Sequence, residues 1–238
     1  MLLKRFRENY FDKVFAHFDW TVKLLVVLLI LDLIVVSLHV FLGDWTTYFH
    51  LDHEHNFPTI YQSLKILTAG YITLFSLIQF WPTLSTYKKW LLAPLSILFI
   101  FFGLDELGQI HESVDRFVRE MNPDFADGLL VFAQNAGYVS STWILYYLPL
   151  FMLVGMYGLF IFYYILKRQR HHFPTLLFTS FVIFLIQVFE FVSNQGQVDS
   201  LLYEQFIVRE ELAEMIGLSL AAFFAIQFQR DVVRDKSV

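Results

Sequence analysis

Five ionisable side chains, His39, Lys65, Asp105, Glu190 and Glu214, stand on five separate long apolar stretches of this 238-residue chain. Carboxylates with imidazole form a ligand set for zinc, iron or manganese; a metal there would offset the repulsion between the acids and could activate a water. Each of the five lies about fifteen residues from one end of its stretch; at about 1.5 Å per residue that is roughly 22 Å into a hydrocarbon core about 30 Å thick. Charges at such a depth are costly and default to function. The expectation is one outward-facing polar site. In it Asp105, His111, Glu190, Glu214 and His39 hold a divalent metal, Glu112 or Glu211 acts as general base, and Lys65 donates to substrate or to a ligating carboxylate.

Neighbouring residues extend these positions into rows at helical spacing. Asp105, Gln109 and Glu112 fall on one stripe, and Gly108, His111 and Asp115 on the next, with Gly108 small enough to admit another helix. Gln187, Glu190 and Asn194 align, as do Glu210, Glu214 and Gly217, with Glu211 one position aside. Neither His-Glu-x-x-His nor a pair of Glu-x-x-His motifs occurs. The stretch Asp105 to Glu112 looks motif-like, and the architecture is similar to that of intramembrane amide hydrolases such as ceramidases. That family's His-rich terminal-helix ligands are absent, so the analogy transfers no residue.

Other readings compete for the same side chains. Lys65 could pair with Asp105 or Glu190 and merely hold helices together. Asp32, in the middle of the first apolar stretch, must find a partner, protonate or face water, and Lys65 is within reach if the helices are staggered. Helix–helix adhesion and proton relay explain Asp32 equally well. The loop His50-Leu51-Asp52-His53-Glu54-His55 is a second candidate metal stretch and could cap the cavity. His171 and His172, beside Lys167 to Arg170, read as surface. Gly155 and Gly158 in the fourth stretch, with Tyr146, Tyr147 and Tyr157, suggest close structural packing. Trp45, Trp81, Trp90 and Trp143 read as interfacial anchors.

The elements that must position these residues are membrane helices. Hydrophobic residues make up 57% of the chain, with 28 Phe and a mean hydropathy of +0.54, too apolar for a soluble domain. The predicted fold is all-α, a polytopic six-transmembrane-helix bundle with spans near Lys23–Leu42, Thr59–Trp81, Trp90–Gln109, Ser141–Leu166, Pro174–Ser193 and Ile207–Gln227. Residues 1–22 read as a basic amphipathic lead-in, 23–229 as the six-helix domain and 230–238 as a tail. A short re-entrant or surface helix is expected between Glu120 and Tyr138. Lys4, Arg5, Arg7, Lys88-Lys89, Lys167 to Arg170 and Arg230 to Lys236 fall on one side, which predicts cytoplasmic termini in a plasma (inner) membrane. The lead-in mixes Glu8 and Asp12 with its basic residues and shows no small-x-small cleavage site, unlike a cleaved signal. No cysteine is present, which excludes disulfides and thiolate chemistry, and a net charge of -5 argues against a nucleic-acid partner.

Three functions fit. The first expectation is a metal-dependent hydrolase acting on a lipid or lipid-linked ester or amide, since a site just inside the outer boundary meets headgroup linkages. The second is a proton- or cation-coupled transporter or channel, ranked lower because past Asp32 the inner half offers few polar residues beyond Thr73, Ser76, Ser96, Thr179 and Ser219. The third is a non-catalytic membrane subunit.

Overall fold

The computed structural model describes residues 19–43, 45–51, 56–135, 143–193 and 200–235. Among these the chain is helical, with no strand. Helix α1 (Trp20–Leu42) is started by Asp19, whose carboxylate accepts from the Thr21 amide at 3.2 Å. Helix α2 (Phe57–Phe80) is started by Asn56, whose side-chain oxygen accepts from the Thr59 amide at 3.0 Å, with Pro58 in the first turn. These caps satisfy amides that a helix start leaves without partners. Helix α3 (Thr86–Gly108) stops at Gln109, whose φ of 48° is left-handed, and the chain restarts at once as the strongly amphipathic α4 (Ile110–Met121). Then come α5 (Pro123–Asn135), α6 (Trp143–Arg168), a tight turn at Arg170–His172, α7 (Phe173–Ser193) and α8 (Ser200–Arg234).

Among the described residues five segments are long and apolar enough to cross a membrane: Trp20–Leu42, Phe57–Thr83, Thr86–Gly108, Leu145–Arg168 and Val208–Arg234. The sixth expected span falls on α7, whose described apolar stretch, counted with the preceding turn, runs only Arg170–Ile186. Boundaries also move. Lys88 and Lys89 lie in the first turn of α3 instead of preceding it, and α8 continues through Arg234, so the expected tail begins as helix. The segment between Glu120 and Tyr138 carries α5, while most of the basic lead-in, residues 1–18, lies outside the described residues.

Contacts fix which helix ends meet. Arg230 pairs with Asp19, Lys88 donates to the Asp235 carbonyl, and His171 and His172 both reach Asp231. The start of α1, the α2–α3 turn, the α6–α7 turn and the end of α8 therefore share one end of the bundle. It is the end that carries Lys88, Lys89 and Lys167 to Arg170, and it is called the basic end below; the opposite end is the distal end.

Inside the bundle α2 packs along α3, and α8 runs along α1, α2 and α7. Gly70 and Gly103 set the α2–α3 distance: a Cβ at Gly70 would stand 2.9 Å from the Ile100 amide nitrogen, and one at Gly103 3.0 Å from that of Leu67. Small residues let helix backbones close up where lipid supplies no hydrophobic drive to associate. Gly108, expected to serve this purpose, meets only Ile110, because the helix ends there. Gly155 and Gly158 face open space, so the close packing expected of α6 does not form at them. Outward faces are apolar, with Phe41, Phe75, Trp90 and Leu159 about 70% exposed, as lipid contact requires.

Candidate functional site

The lead observation is a carboxylate at the centre of the bundle. Asp32, midway along α1 and fully buried, accepts from Lys65 Nζ at 2.8 Å and Tyr61 Oη at 2.7 Å on its Oδ1, and from Ser219 Oγ at 2.6 Å on its Oδ2. Tyr61 and Lys65 are four apart on α2 and so share a face, while Ser219 comes from α8. Three helices converge on one carboxylate. Lys65 Nζ also donates to the Met215 carbonyl of α8 at 2.8 Å, and the ammonium stands 5.0 Å from the Tyr61 ring centroid. A buried ion pair needs such extra hydrogen bonds to offset its desolvation.

Of the readings open for Lys65, the structure selects the pairing with Asp32 and not with Asp105. The stagger is what permits it: Asp32 lies thirteen residues into the helix from its cap at Asp19, and the long lysine side chain reaches inward to it. The lysine expected to donate to substrate or to a ligating carboxylate is bonded here to Asp32 and to the Met215 carbonyl. Towards the distal end the polar row continues, with Gln62 Nε2 donating to Glu211 at 3.4 Å and Glu214 in electrostatic reach of Lys65.

Two cavities flank this row. One, about 200 Å³, lies beside the pair and is lined by Tyr61, Lys65, Thr68 and Ala222, among others. The other, about 730 Å³, opens at the basic end and is lined by Ser76, Thr83, Lys88, Gln229 and Arg230, among others. Ile72 and Ile226 line both, so the two adjoin there. On the basic-end side Gln229 Nε2 donates to the Thr73 carbonyl at 2.5 Å, carrying buried polarity further into the inner half than Thr73 and Ser76 alone.

A second carboxylate site forms at the distal end. Asp105 Oδ1 accepts from Tyr147 Oη at 2.7 Å and from the His111 amide at 2.9 Å, while Oδ2 lies 3.3 Å from His111 Nδ1. The helix break at Gln109 explains the pairing. An uninterrupted helix would put His111 on a different stripe from Asp105, as expected from spacing; the left-handed residue turns the start of α4 back onto the carboxylate, which caps it. The stripe of Asp105, Gln109 and Glu112 does not form, and Glu112 is exposed on α4.

The remaining candidates separate. His39 Nδ1 accepts from the Leu51 amide at 3.2 Å and its ring meets His50 edge-on at 5.0 Å, so it holds the first loop. Asp52 to His55 and the Glu190 side chain lie outside the described residues. Within the described residues no third ligand-type group joins Asp105 and His111 closely enough to complete a metal site. The one such group of three there is His171, His172 and Asp231 at the basic end. His172 is not surface but 1% exposed, packed on Phe224 and Phe228. In that turn, outside the spans, burial and then the neighbouring His171 push its imidazole down to about 4, against the pull of Asp231.

Tyr61, Tyr147 and Asp231 were the participants that spacing did not reveal. A tyrosine one turn from an intramembrane lysine on the same face was the available signal for Tyr61. The other two depend on helix pairings that no local pattern carries.

A family model described as Domain of unknown function (DUF8692) matches residues 21–228, from the first turn of α1 to near the end of α8. The chain belongs to this family. The match takes in Asp32, Lys65, Asp105, His111 and Ser219 and stops just short of Asp231. No curated protein and no solved structure matches the chain.

Proposed function

We infer that this is a six-pass membrane protein with cytoplasmic termini that couples the movement of protons or another cation to the state of the Asp32–Lys65 pair. The observation that carries the reading is the pair of adjoining cavities: one touches Lys65, the other lies at the basic end, and Ile72 and Ile226 line both. Ion coupling needs a buried charge whose surroundings can change, and an intramembrane ion pair held by three helices offers one. Loss or gain of a charge at Asp32 would alter the contacts of α1, α2 and α8 together. The basic residues gathered at one end support placing that end in the cytoplasm.

The test is transport. Purified protein in liposomes should dissipate an imposed proton or alkali-cation gradient, read with an entrapped dye, and Ile226→Ala should speed the leak. Protein that leaves every such gradient intact would end this reading. Orientation is tested separately, since the chain has no native cysteine: Trp45→Cys should label with an impermeant reagent from outside, and Arg170→Cys only after permeabilisation.

A hydrolase is the second reading, and the Asp105–His111–Tyr147 cluster favours it. A carboxylate oriented on an imidazole near the bilayer boundary is suited to general-base attack on a lipid or lipid-linked ester or amide. For this pair to hold zinc, iron or manganese, Glu190, whose side chain lies outside the described residues, would have to join it. Hydrolysis of a headgroup linkage that is lost in Asp105→Asn and His111→Gln but kept in Lys65→Met would establish it over transport.

A further inference from the structure

We propose that His171, His172 and Asp231 form a binding site for a divalent transition metal of the zinc class, clamping the α6–α7 turn to the end of α8. The ligand atoms of the three residues all lie within 4.8 Å of one another. The Nε2 atoms of both histidines stand 3.1 Å from the same Asp231 oxygen, Oδ2. Ligands about 2.0–2.1 Å from a tetrahedral zinc are about 3.3 Å apart, so the two histidine-to-carboxylate edges of the cluster already have nearly the spacing of such a site.

The buried imidazole supplies the second argument. His172 Nε2 is close to Asp231 but makes no hydrogen bond there, and it is shut away from solvent on a residue 1% exposed. A buried polar atom left without a hydrogen bond costs free energy, and a metal would satisfy it. His171 is the exposed partner, with its side chain 62% accessible, so an ion can enter and a water or another ligand can complete the shell.

Charge is compatible with a cation. Arg230 lies against the site, its Nε 3.1 Å from Asp231 Oδ1, but its guanidinium also pairs with Asp19. Two carboxylates thus face one guanidinium, and the oxygen directed at the histidines is not the one Arg230 takes. Two imidazoles and a carboxylate suit zinc, nickel, cobalt or iron better than calcium or magnesium, which prefer all-oxygen shells. The site lies at the opposite end of the bundle from Asp105 and His111 and does not depend on the transport reading.

The test uses the full chain purified in detergent through a histidine-free tag, stripped with chelator and titrated with zinc alone. One equivalent per chain should bind, and melting temperature should rise on binding. His171→Ala, which removes an exposed side chain, should weaken binding by at least about tenfold while leaving the metal-free melting temperature unchanged. Asp231→Asn should weaken binding to the same extent, with the rise in melting temperature on zinc addition judged against its own metal-free value, and guards against any one variant failing to fold. A chain with His50, His53 and His55 replaced by Ser should keep the site. Absence of stoichiometric zinc binding, or binding that survives His171→Ala and Asp231→Asn but is lost with the loop histidines, would overturn the proposal.

Discussion

Asp32 and Asp105 are built on the same unit, a carboxylate accepting from a tyrosine hydroxyl at 2.7 Å, yet they serve opposite ends of a range. Asp32 lies in an unbroken helix, fully buried, with a lysine and a serine completing its shell. Asp105 lies four residues before the helix break at Gln109, with a histidine and a backbone amide as partners and its side chain 11% exposed. Depth decides the difference. At the centre only a full positive charge and several donors can hold an aspartate, whereas near the boundary a break can supply a free amide and an imidazole that water can reach. The central site is thus suited to holding or moving charge, and the distal one to acid–base contact with a group that reaches that end of the bundle.

The largest expected effect breaks the comparison at its buried side. Asp32→Asn leaves Lys65 as an uncompensated buried charge, and should cost on the order of 3–5 kcal/mol, read as a sharp fall in melting temperature in detergent. Combining it with Lys65→Met should restore much of that loss. Asp105→Asn should cost less, about 1–2 kcal/mol, because the groups it abandons can turn to water. If Asp105→Asn proves the more damaging, the ranking by depth is wrong.

Gly70→Ala sharpens the comparison from the scaffold. Its Cβ would meet the Ile100 backbone at 2.9 Å, so α2 and α3, which carry Lys65 and Asp105, must shift apart, at a cost of about 1–3 kcal/mol. Both sites should then weaken together. Tyr147→Phe should show the smallest effect, about 1 kcal/mol for one hydrogen bond, with no change at the central pair.

Much of the fold was legible because membrane spans announce themselves by length and apolarity, and most of the expected spans fall on observed helices. The Asp32–Lys65 pairing was also open to reasoning, since a buried acid requires a partner and few cations lie at depth. What spacing misjudged is instructive. The counted layer placed Lys65 with Asp105, but counting follows the backbone, and a lysine side chain can carry its charge several ångströms away from its own Cα. The stripe through Glu112 failed at Gln109, where one left-handed residue resets the helical phase. His172 looked like surface because its sequence neighbours are basic; it is buried by Phe224 and Phe228, which are more than fifty residues further along the chain.

The most direct test of the central claim is gradient-driven flux through liposomes carrying the Asp32→Asn/Lys65→Met double variant beside wild type, with melting temperature measured on the same preparations. The account predicts a double variant that melts close to wild type and carries no flux. Wild-type flux in that variant would contradict the assignment of the Asp32–Lys65 pair as the working charge and leave it as a structural clasp.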